Sequence, residues 1–318
     1  MNGELNKLFG RDFVIGFFVP ALIFSAANFV LARFLRPDAQ WLKIDWAKPF
    51  ESAGLFLLAT WIFAIFLQSI NREIFRALEG YWPKKWRRRF NRDQRQRFQT
   101  LENQIKALSA RKEELTAEEK LRLNTLRYER AMKFPSKDRL ILPTSFGNVA
   151  AAYEDYPRVI YGFESIQGWA RLQALMSKEF REILGSDRAR VDLWLNLIVL
   201  SFLFAFELAF FARFKGPFVL SFVPVFLLGC WGAYVRARSS VRQYGEQVKA
   251  AFDLYLPALA NQLGYVLSSD MDKNRRFWKA FRGVMLFRDS KHLREMAQAG
   301  LERVPCSAAA PVADPDEP

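Results

Sequence analysis

The sequence predicts an all-α integral membrane protein with four transmembrane helices and a cytoplasmic helical domain, and three observations predict it. Apolar residues are bunched into four runs: Phe13 to Ala32, Ser52 to Ile70, Leu193 to Ala212 and Pro217 to Val235. Lys and Arg crowd some flanks of those runs and are sparse on others. The rest of the chain repeats its apolar residues at helical spacings of three and four.

Each run is close to the roughly 20 residues that cross about 30 Å of hydrocarbon at 1.5 Å per residue. A buried core helix of a soluble protein is the competing account, but such helices are shorter and amphipathic, and these are apolar all round. The first run is too long and Phe-rich, and too poorly followed by a small-residue cleavage site, for a removable signal peptide, so it reads as retained. The runs divide the chain into an N-terminal transmembrane hairpin over 1–70 (spans about 13–32 and 52–70) and a cytoplasmic helical domain over 71–190. A C-terminal transmembrane hairpin over 191–235 follows (spans about 193–212 and 217–235), then cytoplasmic helices over 236–306. The tail 307–318, "SAAAPVADPDEP", is rich in Pro, Ala and acid and is expected to be disordered.

Orientation follows from charge. "KKWRRRFNRDQRQRF" comes after the second run and "RARSSVR" after the fourth, while only Arg213 and Lys215 sit between the third and fourth. The positive-inside tendency therefore puts both termini and the large central segment in the cytoplasm. Arg33, Arg36, Lys43 and Lys48 in the first connection weaken the asymmetry without reversing it, being offset by Asp38, Asp45 and Glu51. Trp41, Trp46, Trp82 and Trp86 flank the runs as interfacial rings do. A net charge of +14 invites a nucleic-acid reading. Basic residues beside a span have a simpler one, attraction to anionic headgroups at about 1 kcal/mol per charge near the surface. Lys84, Lys85, Arg87, Arg88, Arg89 and Arg92, interleaved with Trp86 and Phe90, are accordingly the candidate headgroup-binding residues, and nucleic acid is disfavoured.

Several chemistries are short of residues. His292 is the single histidine, and Cys230 and Cys306 are the only cysteines, so a His-dependent triad or a Cys/His zinc site lacks members. No Walker-type Gly-rich loop is present. The sequence predicts no metal, no cofactor and no enzyme activity.

The cytoplasmic part reads as helices. The helix of the second span is expected to run on through "NREIFRALEG" and break at "GYWP". Phe98, Leu101, Ile105 and Leu108 form a short seam, and Thr116 with Glu119 makes a capping box, so a helical hairpin is expected around Leu115. In "LPTSFGNVAAAYEDYP", Pro143, Thr144, Ser145, Gly147 and Asn148 form a turn opening a helix that ends before Pro157. Free N–H groups at such a start can hold an anion, but a helix cap packed on a neighbour is the favoured reading of Thr144, Ser145, Gly147 and Asn148.

"LPTSFGNVAAAYEDYPRVIYGFESIQGWARL", together with "VKAAFDLYLPALANQLGY" after the last run, resembles an uncharacterised family of bacterial membrane proteins. Its members share LPT-x-x-GN, a YG-containing helix entry and AAFDLY in the same order relative to four spans. The resemblance covers most of the chain beyond about Arg139. It implies a common four-span architecture and brings no catalytic residues.

One charged residue lies well inside an apolar run. Glu207 is six residues, roughly 9 Å, from Arg213 at the outer end of the third span, with Asn28, Thr60 and Ser221 expected at similar depth in the other three. A lone carboxylate in lipid costs at least a few kcal/mol, so Glu207 is expected to face the bundle interior, another subunit or water, or to be protonated, with Asn28 as its partner. Three functions compete. The leading one is a membrane-anchored interaction or sensory protein acting through the cytoplasmic helical domain on an unidentified protein partner. The second is an oligomeric pore or ion channel lined at Glu207 and bent at Pro20 and Pro224. A lipid-handling enzyme is the third, with no nucleophile and base to support it. Homo-oligomerisation is compatible with each.

Overall fold

The computed structural model describes residues 10–36, 49–111 and 114–304. Trp41, Trp46, Cys306 and the tail from 307 lie outside the described residues. Apart from one antiparallel pair of two-residue strands, β1 (Tyr265–Val266) and β2 (Glu302–Arg303), the described elements are helical.

The first apolar run forms α1 (Arg11–Leu35), in which Val14–Phe18 winds as a π-helix. Pro20 accounts for the local distortion: it has no N–H to give the Gly16 carbonyl four residues back. The second run forms α2 (Pro49–Ser69), and the chain continues into α3 (Asn71–Glu79) through a 51° bend. The expected straight continuation is therefore corrected: Ile70 departs from helical dihedrals, at φ −97° and ψ 3°. α3 stops at Gly80, whose φ of +97° is a left-handed cap that suits glycine.

Next come α4 (Lys84–Ala110) and α5 (Ala117–Lys133), joined across the expected capping box. Thr116 Oγ1 accepts from Glu119 N and the Glu119 carboxylate accepts from Thr116 N. Arg130 reaches Glu102 at 2.7 Å and Arg127 reaches Ser109 at 3.1 Å, which closes the hairpin. α6 (Ser145–Ile160) follows. It passes through Pro157 instead of ending before it, because the proline forfeits only one bond, to the Tyr153 carbonyl, and the chain turns at Gly162 (φ +76°). α7 (Ser165–Leu175) leads to α8 (Lys178–Lys215), a single helix containing the third apolar run.

The fourth run lies in a helix of crossing length, Phe218–Gln262, with an irregular turn near its start. α9 (Pro217–Leu220) breaks at Ser221 and the chain resumes as α10 (Val223–Gln262), since Pro224 has no N–H for the Leu220 carbonyl. α11 (Met271–Phe287) and α12 (Ser290–Ala297) are the last described helices, each capped by an aspartate, Asp270 and Asp289. Three helices are long and apolar enough to cross a membrane, and the bent α2–α3 pair makes a fourth if it counts as one span.

The described residues fall into two compact units. One holds 10–96, 142–148 and 183–244; the other holds 97–141, 149–182 and 245–304. Residues 71–96 and 142–148 thus cluster with the apolar helices. The first unit packs Phe13, Phe17, Ala21, Ala64, Leu67 and Leu200 in one cluster and Leu31, Phe204, Leu208 and Val219 in another. In the second, Phe163 meets Trp278 edge-on at 5.1 Å and Phe252 at 5.7 Å, all three fully buried.

Candidate functional site

Polar groups inside the apolar helices are the features that packing alone does not require. The most extensive set lies in the first unit along residues 185–196 of α8. Gly16 of α1 stands so close to α8 that a Cβ there would lie 3.4 Å from the Ala189 oxygen, and small residues at such crossings let backbones approach. The approach brings Asn196 to the carbonyl that Pro20 leaves without a helical donor: Asn196 Nδ2 donates to Gly16 O at 2.8 Å. One turn earlier, Asp192 accepts from Asn71 Nδ2 at 3.0 Å and pairs with Arg188 at 3.1 Å. The Arg188 guanidinium lies 4.4 Å over the Phe75 ring. A buried carboxylate is tolerable only with such partners. Asn71 is the first residue after the bend between α2 and α3, so the bend delivers the amide that Asp192 needs.

Arg188, Asp192 and Asn196 were not singled out in the sequence. The signal was available: the three polar residues follow one another at four-residue steps into an apolar run, which puts them on one helix face.

Glu207 sits further along α8. The Asn28 side chain lies beside its carboxylate, within reach of a hydrogen bond. Asn28 donates to the Phe24 carbonyl at 3.2 Å, and Glu207 Oε2 is buried with no partner among the described residues. Thr60 is 1% exposed and its hydroxyl likewise has none. Ser221 lies in the turn between α9 and α10 and donates to the Phe218 carbonyl at 2.6 Å. Beside the pair, Ala27, Leu31, Phe204, Leu208 and Phe226 wall an apolar cleft of about 390 Å³.

The "LPTSFGN" segment is a clasp. Thr144 caps α6, accepting from Gly147 N at 2.9 Å, and shares its own proton between the terminal carbonyls of α3 at Leu78 (2.7 Å) and Glu79 (3.1 Å). Asn148, fully buried, accepts from Leu142 N at 2.7 Å and donates to Leu142 O and to Gln94. A Cβ on Gly147 would overlap the Glu79 carbonyl. The N–H groups an anion would use at Phe146 and Gly147 already face Tyr234 and Thr144, and Ser145 is the first helical residue beside them.

Lys84, Lys85, Arg87, Arg88, Arg89 and Arg92 occupy the first turns of α4, all exposed, with Trp86 66% and Phe90 44% exposed among them. The first turn carries no acid, so these cations oppose the helix dipole and stabilise nothing locally.

Among the described residues no three His, Cys, Asp or Glu side chains gather as a metal site. The chain matches no family model, no curated protein and no solved structure.

Proposed function

We propose that the chain is a multi-pass membrane-anchored interaction or sensory protein, held in a bacterial inner membrane with both termini in the cytoplasm and acting through its cytoplasmic helices. The observation that carries this reading is how the polar groups of the apolar helices are used. Asn196 is bonded to Gly16 and Asp192 to Asn71, Glu207 lies beside Asn28, and the clusters packed along these helices are rich in Phe and Leu. That is the pattern of a packed anchor, in which buried polar groups fix how the helices meet. The basic turns of α4 supply contact with anionic headgroups, and an exposed Trp–Phe pair among them suits the same interface. The four-span family resemblance agrees with this reading.

An oligomeric channel is the second reading, favoured by the unpartnered oxygens of Glu207 and Thr60. Ion flux through vesicles holding the purified protein separates the two: the anchor reading expects none, and flux abolished by Glu207→Gln at unchanged oligomer size would replace it with the channel. Reporter fusions at Asp45 and Ser307 test the topology, with outside and inside signals expected; an inside signal at Asp45 overturns it. Reversal of Arg87, Arg88 and Arg89 to Glu should weaken binding to anionic vesicles in a salt-dependent way, and equal binding to neutral vesicles would refute the electrostatic account.

A further inference from the structure

α11 and α12 pack on each other across a two-residue link and enclose a cleft of about 420 Å³, inside the roughly 300–1,000 Å³ range of small-molecule sites. Its back is bare. Gly283 brings the α11 backbone against His292, whose Cγ would lie 2.5 Å from a Cβ at that position. The imidazole, the only one in the chain, is further held by Glu295, Nδ1 to Oε2 at 2.8 Å. Phe287 stands at one edge, 69% exposed, its ring 5.7 Å from the His292 ring and tilted by 35°.

The lining also carries three cations. Arg276, Lys279 and Arg282 project along one face of α11 into the lining. Arg282 is engaged by Glu164 at 3.2 Å, whereas Arg276 and Lys279, one turn apart, have no acidic partner among the described residues. The one acid in the lining, Glu295, is taken by His292.

We propose that this cleft binds a small phosphate ester carrying a planar ring, of the nucleotide class. Arg276 and Lys279 take the phosphate, where charge-assisted hydrogen bonds to a guanidinium and an ammonium are strong. Phe287 and the His292 ring take the flat part by stacking. The site is concave, which suits a compact ligand rather than a flat bilayer surface, and it goes beyond the anchor reading by giving the cytoplasmic helices something to sense.

The test uses the full chain in detergent, titrated calorimetrically with adenosine and uridine 5′-monophosphates, adenosine, inorganic phosphate and short-chain phosphatidylglycerol. A monophosphate should saturate the protein and bind more tightly than adenosine or phosphate alone. The double variant Arg276→Ala, Lys279→Ala should lose at least about ten-fold in that affinity. Phe287→Ala should weaken the nucleotide and leave phosphate unchanged. All these positions are exposed, so melting curves are expected to be unaltered. Failure of both monophosphates to saturate at millimolar concentration overturns the proposal, as does affinity unchanged in the double variant. Displacement of the nucleotide by phosphatidylglycerol would overturn the ligand class in favour of a lipid headgroup. None of these readouts depends on the topology.

Discussion

Asn196 donates to the carbonyl of Gly16 across 2.8 Å, and Gly16 is the residue whose helical donor is replaced by Pro20. The two residues are 180 apart in sequence, so one helix mends a backbone defect in another. A buried carbonyl without a donor is costly, and a neighbouring helix is one way to supply the donor that a proline in an apolar helix removes. The pair therefore fixes the rotation of α1 against α8 as well as their distance.

Asn196→Leu should cost about 1–3 kcal/mol by stranding that carbonyl. Pro20→Ala restores a main-chain N–H four residues after Gly16, so the double variant should recover most of the loss. Thermal unfolding of the four proteins in detergent measures this cycle. If Pro20→Ala gives no recovery, the proline is not what creates the need for Asn196.

Glu207 offers a second cycle. Glu207→Gln keeps a hydrogen-bonding partner for Asn28 and should leave stability nearly unchanged, whereas Glu207→Leu strands the amide at a cost on the order of 1 kcal/mol. A Gln variant as unstable as the Leu variant would mean that the charge, not the shape, is what this position uses.

Composition revealed the apolar helices because crossing length and hydropathy are local properties. The capping box at Thr116 and Glu119 was legible for the same reason, since both partners lie within one turn. The bend at Ile70 was not: no Pro or Gly marks it, and its counterpart is Asp192, reached from Asn71 across 121 residues. The turn at Ser221 was not legible either, because a continuous helix was expected through Pro224. Pro157 misled in the opposite sense, one lost hydrogen bond being too little to end α6. The clasp between Thr144 and the end of α3 was half legible, as a cap without its partner.

That clasp makes a steric prediction. Gly147→Ala drives a methyl into the Glu79 carbonyl and should destabilise by roughly 2 kcal/mol or more, the range of overpacked sites. Gly80→Ala meets Pro143 Cδ at 2.7 Å in a left-handed conformation and should be similarly harmful. By contrast, a Cβ at Gly232 has no atom within 4 Å, so Gly232→Ala serves as the control. Equal melting temperatures for all three would remove the clasp from the account of how α3 meets α6.

The last prediction concerns Glu154 on α6, whose carboxyl is pushed from 4.5 up to about 7 by burial. The folded protein therefore holds a proton that the unfolded chain releases between those values. With more protons bound when folded, stability falls as pH rises from about 4.5 to about 7 and stays at the lower level above. At 1.36 kcal/mol per unit the whole effect is at most about 3 kcal/mol. Glu119 acts in the opposite sense, its carboxyl lowered chiefly by the hydrogen bond from the Thr116 backbone, so a raw stability profile mixes the two. The difference between wild type and Glu154→Gln isolates the first. The Gln side chain cannot ionise, so the variant should match the wild type near pH 4.5, gain on it through the titration, and be the more stable protein above pH 7. Denaturant unfolding of the full chain at a series of pH values reads this directly. A constant difference across the series would show that Glu154 does not titrate in that window and that burial does not hold its proton.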